Sequence, residues 1–107
     1  MRQTKLSFEE LMYLSQNPQK SSYSLCLIVN EIGEHALIGD TRAAKALVDF
    51  LKSEEAAARY LACCWIGKCS ILMAICALEE LLKNEEDETV FNEAENTLKK
   101  LKFILGK

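Results

Sequence analysis

The stretch Ala46 to Glu55 reads ALVDFLKSEE, and 31 positions later Ala77 to Glu86 reads ALEELLKNEE. Six of the ten positions are identical, and Asp49/Glu80, Phe50/Leu81 and Ser53/Asn84 are physically similar exchanges. Both copies place apolar residues three and four apart, which puts them on one face of a helix. Each copy reads as the second helix of a pair, followed by an acidic start to the next helix. Self-similarity at a period of 30 to 40 residues in a helical chain marks stacked helical pairs, because a lone pair cannot bury both of its apolar faces.

The rest of the chain fits that pattern, and six helices can be placed. The first spans about Phe8 to Gln16: Ser7 and Glu10 form a capping box, Leu6 and Leu11 the matching hydrophobic staple, and Pro18 stops the helix. A second, with Leu25, Ile28, Val29, Ile32 and Ala36 along one face, ends by Gly39, which suits a left-handed cap. Asp40 opens the third, whose polar face carries Arg42, Lys45, Asp49 and Lys52. Ser53 is expected to cap a fourth helix with Glu54 and Glu55 in its first turn and Gly67 near its end. The fifth, about Ser70 to Lys83, begins ILMAICAL, apolar on every side, and should lie centrally or under a partner. The sixth runs from about Glu88 to Leu105, with Val90, Ala94, Leu98, Leu101 and Leu105 inward and lysines in its last half.

Composition narrows the class further. The chain has 107 residues, half of them hydrophobic, with only four Gly and one Pro, so one helical domain with a sizeable core is expected. A net charge of −3 with interleaved signs leaves no basic stripe for nucleic acid. No run approaches the roughly 18 apolar residues of a membrane span, and no secretory leader stands at the N-terminus, so a soluble cytoplasmic protein without a membrane partner is expected. Cys26, Cys63, Cys64, Cys69 and Cys76 fall inside apolar runs at irregular spacing, as reduced core thiols do.

The stretch IGDTRAAKALVDFLKSEEAAARYLACCWIGK, Ile38 to Lys68, resembles the HEAT-like repeat of the phycocyanobilin-lyase type. Ile38, Gly39 and Asp40 match that family's turn, and Arg42, Ala43, Ala46 and Leu47 its helix. Leu51, Lys52, Ser53 and Glu54 match its connector, and Arg59, Ala62, Ile66 and Gly67 the helix after it; the match runs on through Ala74, Ala77 and Leu78. GKCSI replaces the second Gly-Asp turn, and Val90 stands in place of an Arg. The second helix fits in two registers, one pairing Gly33 with Gly67 at 34 residues and one keeping the 31-residue step. The resemblance implies an all-α fold, a short right-handed α-α superhelix of about six helices, with the first and sixth helices as half-repeats that shield the ends. The competing architecture is a plain helical bundle.

No catalytic constellation is evident. His35 is the single histidine, and one Glu34-His35 pair is far short of a di-iron ligand set, so no metal or other cofactor is expected. A nucleophile elbow and a Gly-rich phosphate loop are both missing. The acidic pairs Glu54/Glu55, Glu79/Glu80 and Glu85/Glu86 read as solvated faces or first-turn charges. Cys69, read as lying near a helix start, is the best candidate for a reactive thiol. Trp65 reads either as a core residue or as an exposed anchor. In a superhelix the second helices line the inner surface, which the resemblance assigns to Arg42, Lys45, Asp49 and Lys52 of one pair and Met73, Cys76, Glu80 and Lys83 of the next.

The expected function is therefore a protein-binding or scaffold module that uses this mixed-charge surface and Trp65. The alternative is a lyase-like or chaperone module holding a chromophore or other small molecule near Trp65 and Cys69. A homodimer through the fifth or sixth helix is the third expectation.

Overall fold

The computed structural model describes residues 6–16 and 24–106. Over these the chain is all-α, with α1 (Phe8–Gln16), α2 (Leu25–Leu37), α3 (Thr41–Phe50), α4 (Ala56–Cys69), α5 (Ile75–Asn84) and α6 (Glu88–Leu105). The expected stop at Asn17 and Pro18 and the N-terminal residues 1–5 lie outside the described residues.

Local chemistry starts most of these helices. At α1 the Ser7 amide donates to Glu10 at 2.9 Å and the Glu10 amide to the Ser7 hydroxyl at 3.1 Å, the reciprocal pair that satisfies two otherwise orphaned donors. The side chains of Ser24, Asp40 and Asp87 accept from the amides of Leu27, Arg42 and Val90 and open α2, α3 and α6. Gly39 takes φ of +103° just past α2, where a side chain would be strained.

The fourth helix departs from expectation at its start. It begins at Ala56, so Glu54 and Glu55 precede it rather than fill its first turn. The reason is that the end of α3 tightens into i→i+3 bonds through Leu51, Lys52 and Ser53, while the Ser53 carbonyl is taken by the Arg59 guanidinium at 2.8 Å. At the other end the helix passes through Gly67 to Cys69. Ser70 adopts the left-handed conformation at φ 53°, and the Ile71 amide donates back to the Ile66 carbonyl at 3.0 Å, a Schellman closure. Thr97 of α6 packs over Gly67, where an added Cβ would meet it at 3.5 Å, an ordinary contact.

The fifth helix is shorter than expected and does not lie centrally. A 3-10 turn, Leu72–Ala74, precedes α5 and rotates Leu72 and Met73 to the outside, so that Ile71, Ala74 and Leu78 alone are fully buried from this stretch. In α6 the inward residues are Val90, Ala94, Leu98 and Leu101, as expected. Leu105 is instead exposed at the helix end, and the buried fifth member is Thr97, whose hydroxyl donates to the Cys63 carbonyl at 3.2 Å. That bond satisfies the hydroxyl and so permits a polar residue in the α4–α6 seam.

Helices α2, α4 and α6 form one row, α4 packing against both neighbours, and α3 bridges α2 and α4 from the second layer. The row is parallel. Trp65 of α4 meets Asn30 and Gly33 of α2, and Cys63 and Gly67 of α4 meet Thr97 of α6. Gly33 and Gly67, 34 residues apart, each face a residue of the next helix in the row, Trp65 of α4 and Thr97 of α6. Helix α1 joins the second layer through Glu9, which accepts from Arg42 of α3 at 2.6 Å, and α5 packs on α6. A least extent of 21 Å is that of two helical layers. Between them lies the core, with Leu11, Ile28, Ile32, Leu47, Ile66, Leu78 and Leu101 fully buried. Each such side chain contributes about 1.5 to 3 kcal/mol.

Candidate functional site

The residues expected to line an inner surface are on α3 and α5 or beside them, and apart from Trp65 all are exposed. Their surroundings differ. Arg42 is committed to the protein itself: its guanidinium donates to Glu9 and, through Nε and Nη2, to Asp40 at 3.2 and 3.1 Å, and it lies 4.7 Å above the Phe8 ring. Those hydrogen bonds hold the Glu9 and Asp40 carboxyls below the usual carboxylate range. Lys45 and Asp49 of α3, and Lys52 in the turn after it, are exposed to solvent. On α5, Glu80 and Lys83 approach within 3.7 Å, a surface pair of little energetic weight. Cys76 in the first turn of α5 and Met73 in the 3-10 turn before it are also exposed.

Trp65 is not part of this surface. It sits in the seam between α2 and α4, where its indole Nε1 donates to Asn30 Oδ1 at 2.8 Å and its ring covers Gly33 so closely that any Cβ there would overlap it. Lys68 caps the ring at 5.1 Å. The indole is a half-buried wedge that joins two helices and has its hydrogen bond satisfied.

Between the ends of α3 and α5 lies a cleft of about 540 Å³. Leu51, Ala56 and Leu81 form its apolar side, and Lys52, Asn84 and Glu86 its polar rim. The floor is an ion pair between the first turn of α4 and the α5–α6 turn. Arg59 Nε and Nη2 donate to the two oxygens of Glu85 at 2.8 and 2.9 Å, while Nη1 holds the Ser53 carbonyl. The Asp87 amide also donates to Glu85 Oε2 at 3.0 Å. With only 3% of its side chain exposed, Glu85 is not the solvated acid its place in an acidic pair suggests. The Arg59 hydrogen bonds pull its carboxyl below the ordinary glutamate range. Sequence reasoning missed this pair, although a signal existed: Glu85 repeats Glu54 at the 31-residue step, and Arg59 belongs to the motif that follows the first copy.

Cys69 is also corrected. It is the last residue of α4, not a residue near a helix start, so the helix dipole disfavours its thiolate, and burial raises its pKa. Burial pushes the Cys63 thiol up to about 12 and raises that of Cys64. His35 is in the last turn of α2 and bonds to the Leu6 carbonyl at 2.9 Å, which ties α2 to the start of α1. Among the described residues no three His, Cys, Asp or Glu side chains converge as a metal site would require. Among the described residues no helix is long and apolar enough to cross a membrane.

Comparison of the chain with family models, curated proteins and solved structures finds no match.

Proposed function

We propose that the chain is a non-catalytic helical-repeat module, a short HEAT-like stack, that binds a segment of another protein in the cleft between α3 and α5. The observation that carries this reading is the cleft itself: one apolar side, a rim bearing both charge signs, and a floor whose hydrogen bonds are already satisfied within the chain. A satisfied floor offers shape rather than reactivity. Affinity would come from apolar contact with Leu51 and Leu81, and orientation from Lys52 and Glu86. Lys45 and Asp49 on α3 and Glu80 and Lys83 on α5 extend the same mixed-charge surface along the two helices.

The row of α2, α4 and α6, in which Gly33 and Gly67 each face a residue of the next helix, supports the repeat reading, because stacked helical pairs bring successive first helices side by side. The small-molecule alternative draws less support, since the Trp65 ring is occupied by Gly33, Asn30 and Lys68.

The test is affinity capture with the intact chain and with a Lys52→Glu/Glu86→Lys double variant, which reverses the rim while leaving the buried groups alone. Partners retained by the native chain and lost by the variant support the cleft. An unchanged set of partners overturns it.

A further inference from the structure

Helices α3 and α5 carry the two copies of the echoed stretch, and their C-terminal ends form opposite walls of the cleft. The two ends are finished differently. At the end of α3 the amides of Leu51, Lys52 and Ser53 fold back onto the carbonyls of Val48, Asp49 and Phe50, and the Ser53 carbonyl is taken by Arg59. That wall is closed. At the end of α5 the chain leaves in an extended conformation at Glu85, and among the described residues no donor meets the carbonyls of Leu82, Lys83 and Asn84. The Asp87 amide, which could turn back onto them, goes to the Glu85 carboxylate instead. A step of 31 residues carries Ser53 to Asn84 and Arg59 to Val90, so the guanidinium that closes the first copy has no counterpart in the second.

Carbonyls left over at a helix end point outward along its axis, so the open end of α5 is an electronegative terminus at the cleft. Glu86 beside it is exposed and, among the described residues, unpaired. Lys83, the one cation in the last turn of α5, lies 3.7 Å from Glu80, and Arg59 and Glu85 cancel each other in the floor. Lys52 stands on the opposite wall. We propose that the occupant of the cleft is a basic segment of a partner protein, an inference that rests on the reading of the cleft as a protein-binding site. An Arg or Lys of that segment lays its aliphatic stem on Leu51, Ala56 and Leu81 and brings its donors to Glu86 and the end of α5, as Arg59 does within the chain for the end of α3. Lys52 sets the direction, since it repels the cation from the α3 wall. An acidic or phosphorylated segment would meet Glu86 and the negative end of α5. A bare metal ion has no three converging ligands among the described residues.

Selection from a randomised decapeptide library on the immobilised full chain provides the test. The retained peptides should be enriched in Arg and Lys beside an apolar residue and depleted in Asp and Glu. For the best-retained peptide, resynthesised, citrulline in place of its arginine keeps the shape, removes the charge and should weaken binding about fivefold. Glu86→Lys should weaken it about fivefold as well, whereas Lys52→Glu should strengthen it about threefold, each variant keeping the helical circular dichroism of the native chain. Peptides retained without basic enrichment that still shift the amide NMR signals of Lys52, Ala56 and Glu86 overturn this inference and leave the cleft reading standing. Basic peptides that bind the Glu86→Lys variant as well as the native chain overturn it too. Shifts confined to residues away from the cleft, or a library from which nothing is retained, count against both.

Discussion

Arg59, in the first turn of α4, and Glu85, in the turn between α5 and α6, face each other through two parallel hydrogen bonds of 2.8 and 2.9 Å. They join segments 26 residues apart and make the floor of the cleft. A planar guanidinium and a carboxylate in this arrangement are oriented as well as attracted, which Lys would not reproduce. Glu85→Ala leaves a guanidinium 18% exposed without its partner, and should cost about 2 to 3 kcal/mol, somewhat below the range for a fully buried pair because water still reaches Arg59. Thermal unfolding should then move down by roughly 10 °C. Arg59→Lys should recover less than half of that loss relative to Arg59→Ala.

The same pair predicts a pH response. The Glu85 carboxyl is depressed in the folded chain by Arg59, so its stabilising contribution is fully present above the unfolded glutamate value of about 4.3. It is lost as pH falls below that value through the lower folded one. Urea midpoints measured from pH 6 down to pH 3 should therefore decline more steeply for the native chain than for Glu85→Gln, and the two curves should converge at the acid end.

Gly33 and Gly67 should respond oppositely to the same substitution. A Cβ on Gly33 would overlap the Trp65 indole, so Gly33→Ala should destabilise by about 1 to 3 kcal/mol despite its better helix propensity. At Gly67 the nearest atoms to an added Cβ are those of Thr97 at 3.5 Å, ordinary contact, so Gly67→Ala should stabilise by about 0.5 to 1 kcal/mol. Combining Gly33→Ala with Trp65→Ala should cost less than the sum of the two, since the overlap goes with the indole. Chemical denaturation of the four variants measures all of this.

Ser70 closes α4 at φ 53°, a conformation natural to glycine. Ser70→Gly should raise stability by about 1 kcal/mol and leave the helical signal unchanged. A destabilised Ser70→Gly would mean that the closure of α4 differs from the one described.

Thiol labelling should follow burial. Cys76 is exposed, whereas Cys63 is buried with its pKa pushed up to about 12. Iodoacetamide at pH 8 should modify Cys76 first and Cys63 only on unfolding, as peptide mass analysis would show.

Helix existence was legible from the sequence because it depends on neighbours. The Ser7-Glu10 box, the Asp40 cap, Gly39 and the apolar spacing of α2, α3 and α6 all act within one or two turns, and the structure places them as read. Helix ends that answer to distant partners were not legible. The start of α4 shifts to Ala56 because Arg59 takes the Ser53 carbonyl, and α4 runs two residues past Gly67 to close at the left-handed Ser70. Of the expected surface, Lys52 alone lines the cleft, Arg42 is spent on Glu9 and Asp40, and Trp65 lies in another seam.

By itself, then, the sequence determined an all-helical chain with an internal echo, since hydrophobic spacing and capping act through covalently near residues. Only the tertiary structure decided that Glu85 is a buried partner and that Thr97 belongs to the core. Each of these depends on the stagger of parallel helices some 30 residues apart. A shift of one turn, about 5.4 Å, would exchange every such neighbour while leaving the local helical pattern intact.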